Sequence, residues 1–250
     1  MMGLTYGEER ALSLALDLMR AICHAAYRAS IALAREKASF PLFERERYLQ
    51  GEFIRQLPDD IRDGIGRYGI RNSHLLAIAP TGTISLLASN VSSGLEPMFA
   101  ASYSRKVLGS DGTPIEFMLT DYALDQWRQM TDATTGMPDG FVTASDLPVR
   151  AHLDMQAVLQ PSVDNSISKT INVPENCSFD EFGRIYDLAY DLQLKGCTTF
   201  RPNPVTGIVL SEDNVGVEAP HCCALEREAR LRRGGYGDED RGHHIRRDHD

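Results

Sequence analysis

The amino-acid sequence predicts an α/β fold. Segments in which apolar residues recur at helical spacing alternate with short apolar runs of strand length, as far as about residue 201. The 250 residues are 42% hydrophobic and 24% charged, which excludes collagen, coiled coil and wholesale disorder. From residue 219 onward large apolar residues nearly disappear. We therefore expect a folded region over residues 1–218 and a charged, disordered C-terminal tail over residues 219–250.

The N-terminal part of the chain is predicted to be helical. Apolar side chains recur at three- and four-residue steps from Leu12 to Leu33, which is typical of a long amphipathic helix, and this pattern ends near Lys37. Acidic residues precede the pattern and suit the positive end of the helix dipole. Two short helices are predicted over residues 44–50 and 58–68, each bounded by residues that stop or start a helix.

A strand, a turn and a hairpin-type element are predicted next. Five apolar residues without alternation over residues 75–79 indicate a buried strand. A turn follows over residues 80–83, and a short helix over residues 84–88. Residues 102–108 alternate like a strand, and the glycines of residues 109–112 are typical of a hairpin turn.

The remaining elements alternate between helix and strand. Helices are predicted over residues 114–130 and 148–159, and a strand over residues 168–173. A Ser-x-x-Glu capping box starts a further helix over residues 178–194. The last predicted strand covers residues 197–201, directly after a glycine.

Charge and cysteine usage exclude several classes of protein. The net charge of −9 argues against a surface that coats nucleic acid, which needs clustered Lys and Arg. No apolar run approaches the ~20 residues of a membrane-spanning helix. An odd number of widely spaced cysteines, with no signal peptide over residues 1–20, indicates a reducing compartment. We therefore expect a soluble cytoplasmic protein that binds neither nucleic acid nor a membrane.

The most informative stretch is the turn after the predicted strand at residues 75–79. Hydroxyl side chains surround a glycine there, and a helix start leaves N–H groups without partners. Gly82 would allow a ligand to approach the backbone closely. One interpretation is a phosphate-binding loop; the other is an ordinary strand–helix turn with a Ser/Thr cap. The candidate phosphate-binding residues are Pro80, Thr81, Gly82, Thr83, Ile84 and Ser85.

Several motifs, in order, resemble the C-terminal part of the ribonucleotide reductase catalytic chain. The resemblance covers about residues 4–210 and is carried by residues 71–73, 79–85, 93–97, 163–172 and 195–203. It implies a ten-stranded α/β barrel in the complete protein, of which residues 1–218 would form the C-terminal part. It also implies that residues 80–85 contact the phosphates of a ribonucleotide substrate.

The resemblance also implies a subclass. In iron-dependent class I chains the last strand carries adjacent tyrosines that relay a radical, whereas Thr198, Thr199 and Phe200 stand there in this sequence. A threonine side chain is not oxidised to a stable radical at accessible potentials. The motifs are similar to class II, in which adenosylcobalamin generates the radical. The implied reaction replaces the ribose 2′-hydroxyl by hydrogen, with electrons from cysteines that a thioredoxin-like protein or a dithiol reduces again.

The resemblance implies no catalytic residue and no metal ligand in this chain. The radical and reducing cysteines of the family precede the matching segment, so we expect the isolated chain to be inactive. We expect Cys177 near a helix cap and Cys23 and Cys197 as small core residues; the alternative for Cys197 is that it faces the active site from a barrel strand. The adjacent Cys222 and Cys223 only echo the terminal cysteine pair of the family. The alternative is a non-catalytic nucleotide-binding module, or a split-gene subunit that needs a separate N-terminal reductase chain.

Overall fold

The computed structural model of the chain describes residues 2–108, 112–131, 136–138, 140–144, 146–201 and 211–212. It contains both helices and strands, as the α/β prediction requires. The tail over residues 219–250 and most of the turn over residues 109–112 lie outside the described residues. The elements are α1 (Glu9–Lys37), α2 (Arg45–Leu49), α3 (Glu52–Arg55), α4 (Asp59–Tyr68), α5 (Gly82–Leu87), β1 (Ser102–Leu108), β2 (Pro114–Thr120), α6 (Tyr122–Met130), α7 (Val149–Leu159), β3 (Thr170–Asn172), α8 (Phe179–Asp191), β4 (Thr198–Phe200) and β5 (Ser211–Glu212).

The long helix α1 packs on the short helices that follow it. Ile61 and Ile65 of α4, together with Ile70, are fully buried against α1 and form the first core. Burial of each such isoleucine contributes about 1.5–3 kcal/mol. In the C-terminal part of α1 the buried face lies one residue later than the predicted apolar stripe. Ala34 is buried there, while Leu33 is 39% exposed.

Residues 102–108 form the predicted strand, but residues 114–120 form a second strand paired with it and not the predicted helix. Strand β1 pairs with β2 in antiparallel register from Ser102 opposite Thr120 to Leu108 opposite Pro114. The predicted helix over residues 114–130 is therefore wrong in its first half. Helix α6 begins only after Asp121, whose carboxylate accepts hydrogen bonds from the first turn at 2.8 and 3.2 Å.

Parallel pairing connects the remaining strand segments. The predicted strand over residues 75–79 is extended but makes a single parallel bridge, between Ile78 and Ile167, and is only partly buried. The segment that contains Ile167 continues into β3, and β3 pairs in parallel with β4. In the part of the chain that is described, the strands form one three-stranded and one two-stranded sheet and no closed barrel.

The second core lies between α7, α8 and the β3–β4 pair. Its fully buried members include Leu153 and Ile171, and Cys177 and Cys197 pack against it. Ser178 and Glu181 form the predicted capping box at the start of α8. Cys177 directly precedes that cap, as expected from the sequence. Cys23 belongs to the first core, so the expected packing roles of the described cysteines are confirmed.

A partly buried carboxylate joins the first core to the parallel segments. Asp164 accepts a hydrogen bond from the Tyr27 hydroxyl at 2.7 Å and from the N–H groups of Leu75 and Leu76 at 2.7 and 2.8 Å. Burial, together with the hydrogen bond to Asp164, raises the pKa of Tyr27 above its ordinary range. The segment that leads to the candidate loop is therefore attached to α1 through one side chain.

Candidate functional site

The candidate loop turns directly into helix α5. The helix begins at Gly82, two residues before the predicted start, and Thr81 is its N-cap residue. Thr81 adopts φ 49° and ψ 20°, a left-handed conformation that costs a non-glycine residue roughly 1–2 kcal/mol. No side chain caps this helix start. The chain therefore enters α5 through a strained turn, and the N–H groups of its first turn are not satisfied by a cap.

The N–H groups of the first turn of α5 face open space. Within the described residues, those of Gly82, Thr83 and Ile84 make no hydrogen bond. A Cβ placed on Gly82 would meet no atom within 4 Å, and Thr83 and Ile84 are exposed. The hydroxyls of Thr81 and Thr83 have no partner in the same part of the structure. Five polar groups are thus free to bind an anion at one place.

The other two residues of the candidate set have different surroundings. Ser85 is buried, and its hydroxyl donates to the Gly82 carbonyl oxygen at 2.8 Å, so its proton is engaged inside the turn. Pro80 is exposed and has no N–H to donate. Among the six sequence-predicted residues, Thr81 to Ile84 therefore offer the donors, while Pro80 and Ser85 shape the turn.

A second turn, residues 93–97, packs behind the loop. Gly94 has φ +57°, and a Cβ there would lie 2.6 Å from the carbonyl oxygen of Ala79. Two residues on, Glu96 forms an ion pair with Lys169, and its second carboxylate oxygen accepts from the Thr170 N–H at 2.6 Å. Sequence reasoning did not identify this pair. The sequence offers one signal for it: Glu96 lies in residues 93–97 and Lys169 in residues 163–172, two of the motifs that resemble ribonucleotide reductases.

Further polar side chains surround the ion pair. His152 is fully buried; burial first, and the positive charge of Lys169 second, lower its pKa to about 4. Its Nδ1 atom has no hydrogen-bond partner in the described structure. Tyr6 lies beside it, with ring centroids 6.2 Å apart, and donates to the Leu95 carbonyl oxygen at 2.9 Å. Burial first, and the Glu96 charge second, raise the pKa of Tyr6.

Comparison with known proteins identifies the family. A family model described as the ribonucleotide reductase barrel domain matches residues 1–200. The chain belongs to the ribonucleotide reductase family. A vitamin B12-dependent ribonucleoside-diphosphate reductase from Mycobacterium tuberculosis is 33% identical over 226 residues, which are 84% of this chain and 30% of that protein. One from Thermoplasma acidophilum is 30% identical over 233 residues, which are 86% of this chain and 28% of that protein.

The resemblance to B12-dependent reductases that the motifs indicated is thereby confirmed. A third relative, a vitamin B12-dependent ribonucleotide reductase from Streptomyces coelicolor, is 28% identical over 57% of this chain and 17% of its own length. The chain spans 30% and 28% of the length of the Mycobacterium tuberculosis and Thermoplasma acidophilum relatives. No helix in its described part is both long and apolar enough to cross a membrane.

No cobalamin site is identified in the described part of the chain. This part contains no group of three or more His, Cys, Asp or Glu side chains that could hold a metal ion. A cavity of about 400 Å³ is lined by Tyr27, Tyr48 and Phe53, with Asp164 at its wall. Sites for drug-sized ligands measure roughly 300–1,000 Å³, and a corrin with its nucleotide and adenosyl groups is larger than such a ligand. No described residue is therefore assigned to that cofactor.

Proposed function

We propose that this chain supplies the substrate-phosphate-binding part of a vitamin B12-dependent ribonucleotide reductase, which replaces the ribose 2′-hydroxyl of a ribonucleotide by hydrogen. The observation that carries the proposal is the match of residues 1–200 to the reductase barrel domain. In this proposal residues 1–218 form the C-terminal part of a ten-stranded barrel, and the protein acts in the cytoplasm.

Substrate phosphates bind at the start of α5. The unpaired N–H groups of Gly82, Thr83 and Ile84 donate to the phosphate oxygens, and the hydroxyls of Thr81 and Thr83 add two donors. Backbone donors hold an anion without a basic side chain, so the net charge of −9 is no obstacle. The open space in front of Gly82 lets a phosphate reach the backbone.

The radical chemistry takes place on residues that this chain does not supply. Cys23 packs in the first core, Cys177 lies at the cap of α8, and Cys197 packs against the second core directly before Thr198. In this proposal none of the three carries the radical or the reducing electrons. In the complete enzyme, adenosylcobalamin supplies the radical, and a thioredoxin-like protein or a dithiol supplies the electrons. The isolated 250 residues therefore bind substrate without reducing it, and turnover requires the N-terminal part of a reductase.

Turnover assays distinguish this proposal from the alternative, a non-catalytic nucleotide-binding module. The alternative is favoured by the same placement of the three described cysteines. The chain is assayed for deoxyribonucleotide formation with adenosylcobalamin and a dithiol, alone and with the N-terminal part of a B12-dependent reductase added. We expect no product alone and product from the mixture. Nucleotide binding without product in either assay supports the module, and turnover by the chain alone contradicts both.

A glycine pair tests the phosphate loop itself. Gly82 and Gly183 both lie in helices, and a Cβ on either meets no atom within 4 Å. Gly82→Ala and Gly183→Ala should therefore leave the fold intact, with a gain of roughly 0.5–1 kcal/mol in helix propensity. Only Gly82→Ala should weaken the binding of cytidine diphosphate in calorimetric titration, because its methyl group fills the space that a phosphate needs. Equal affinity of the two variants would rule out this loop.

A further inference from the structure

Lys169 is a buried charge that the proposed function leaves without a role. Its side chain is fully buried, whereas the side chain of Glu96 is 26% exposed. The Lys169 ammonium donates to a Glu96 carboxylate oxygen and, at 2.7 Å, to the Thr170 carbonyl oxygen. Removing one member of a buried ion pair leaves the other charge uncompensated, which is strongly destabilising. Such an arrangement fixes the relative positions of the two segments that carry the charges.

The strand register places Lys169 at the level of the phosphate loop. Ile78 and Ile167 pair in parallel, so two residues further along each segment stand Pro80 and Lys169. The turn that carries Glu96 contacts the residue before Pro80, since Gly94 packs directly on the carbonyl group of Ala79. The ion pair therefore ties the second turn to the segment beside the loop.

We propose that the Glu96–Lys169 pair positions the phosphate loop. The pair holds the turn of residues 93–97 against Ala79, and this contact fixes the direction of the N–H groups at the start of α5. Neither side chain touches the substrate, so both are positioning residues. The inference rests on the proposed function, because it assigns the pair to the same phosphate site, and its tests separate the two.

Single and double variants separate positioning from stability. Glu96→Gln keeps the shape of the side chain but leaves the Lys169 ammonium without a counter-charge, so both the thermal midpoint and the affinity should fall. Combining it with Lys169→Met removes both charges and should restore much of the midpoint. The double variant still lacks the ion pair between residues 96 and 169. Its affinity for inorganic pyrophosphate should therefore stay roughly tenfold below that of the unaltered chain, which is the effect of losing one hydrogen bond to a charged group.

Two further variants complete the comparison. Gly94→Ala leaves both charges in place but forces a Cβ against the Ala79 carbonyl, so it should also weaken pyrophosphate binding. Asp154→Asn is the matched control, because it breaks an ion pair whose carboxylate is 27% exposed, close to that of Glu96, but whose cation, Arg150 on α7, is 59% exposed. It should change neither the midpoint nor the affinity appreciably. Full recovery of affinity together with the midpoint in the double variant would overturn the proposal, since a merely structural pair behaves in that way.

A measurement without ligand decides the inference even if the proposed function fails. The amide ¹⁵N and ¹H chemical shifts of Gly82, Thr83 and Ile84 report the conformation at the start of α5. They should move in the double variant and remain unchanged in Asp154→Asn. If the unaltered chain does not bind pyrophosphate, the phosphate-site proposal fails while these shifts still test positioning. Unchanged shifts in the double variant would overturn the inference whatever the binding result.

Discussion

Replacing Asp164 by asparagine should destabilise the chain more than its conservative chemistry suggests. The carboxylate accepts three hydrogen bonds of 2.7–2.8 Å, from the Tyr27 hydroxyl and from the N–H groups of Leu75 and Leu76. An asparagine amide presents one oxygen and one NH₂ group. Whichever way the amide lies, at least one of these donors faces another donor and loses its acceptor.

The structure sets the size of the effect. A buried donor without a partner costs about 1–3 kcal/mol, and the retained bonds lose their charge assistance, so the total for Asp164→Asn is about 3 kcal/mol. For a chain of this length that corresponds to a thermal midpoint lower by roughly 6–12 °C. Tyr27→Phe leaves no donor unsatisfied, because the carboxylate keeps its two N–H partners. It should therefore cost only about 1 kcal/mol.

A double-mutant cycle provides the assay. Thermal and urea unfolding of the two single variants and of the double variant give the coupling free energy, which should be about 0.5–1 kcal/mol because the two side chains share one hydrogen bond. Asp60→Asn is the control, since the Asp60 carboxylate is exposed and forms an exposed ion pair with Arg28. An Asp164→Asn chain as stable as this control, or strictly additive variants, would refute the argument that Asp164 joins the two segments.

Two smaller predictions concern other polar groups. The pKa of His152 lies at about 4 in the folded chain but near its ordinary value of 6.5 when unfolded, so stability is complete above pH 6.5 and decreases as the pH falls from 6.5 towards 4. Urea unfolding across this range should show the slope, and His152→Phe should remove it. Ser178→Ala removes the cap of α8 and should lower stability by about 1 kcal/mol in the same assay at neutral pH, whereas the exposed Ser13→Ala in α1 should not.

Local signals in the sequence were sufficient for most helices. The predicted helix over residues 178–194 starts at its capping box, and the predicted helix over residues 58–68 ends before Gly69, which adopts φ +76°. The capping box and the glycine each lie within a few residues of the helix end that they determine. The stripe of α1 drifted by one position because the first core contacts the helix through Tyr27 and Ile31, and that contact depends on where α4 packs.

The prediction over residues 114–130 was wrong for a physical reason of longer range. Pro114 suits a first helical turn, but it equally suits the first residue of an edge strand, which needs no N–H on one side. The pairing of β2 with β1 along seven residues decides between the two. Only the cap at Asp121 marks the true helix start, and an aspartate before a helical pattern is visible in the sequence.

The candidate site shows the same division between local and distant information. The free N–H groups at residues 82–84 follow from a glycine and hydroxyl residues at a helix start, so the sequence could indicate them. The left-handed Thr81 and the contact between Gly94 and Ala79 could not be predicted, because each needs a partner segment to hold it. A strained turn persists only where surrounding structure determines it. The ion pair between Glu96 and Lys169 ties residues 93–97 to the parallel strands. In the proposed site it is that surrounding structure, and the position of a bound phosphate would depend on side chains that never contact it.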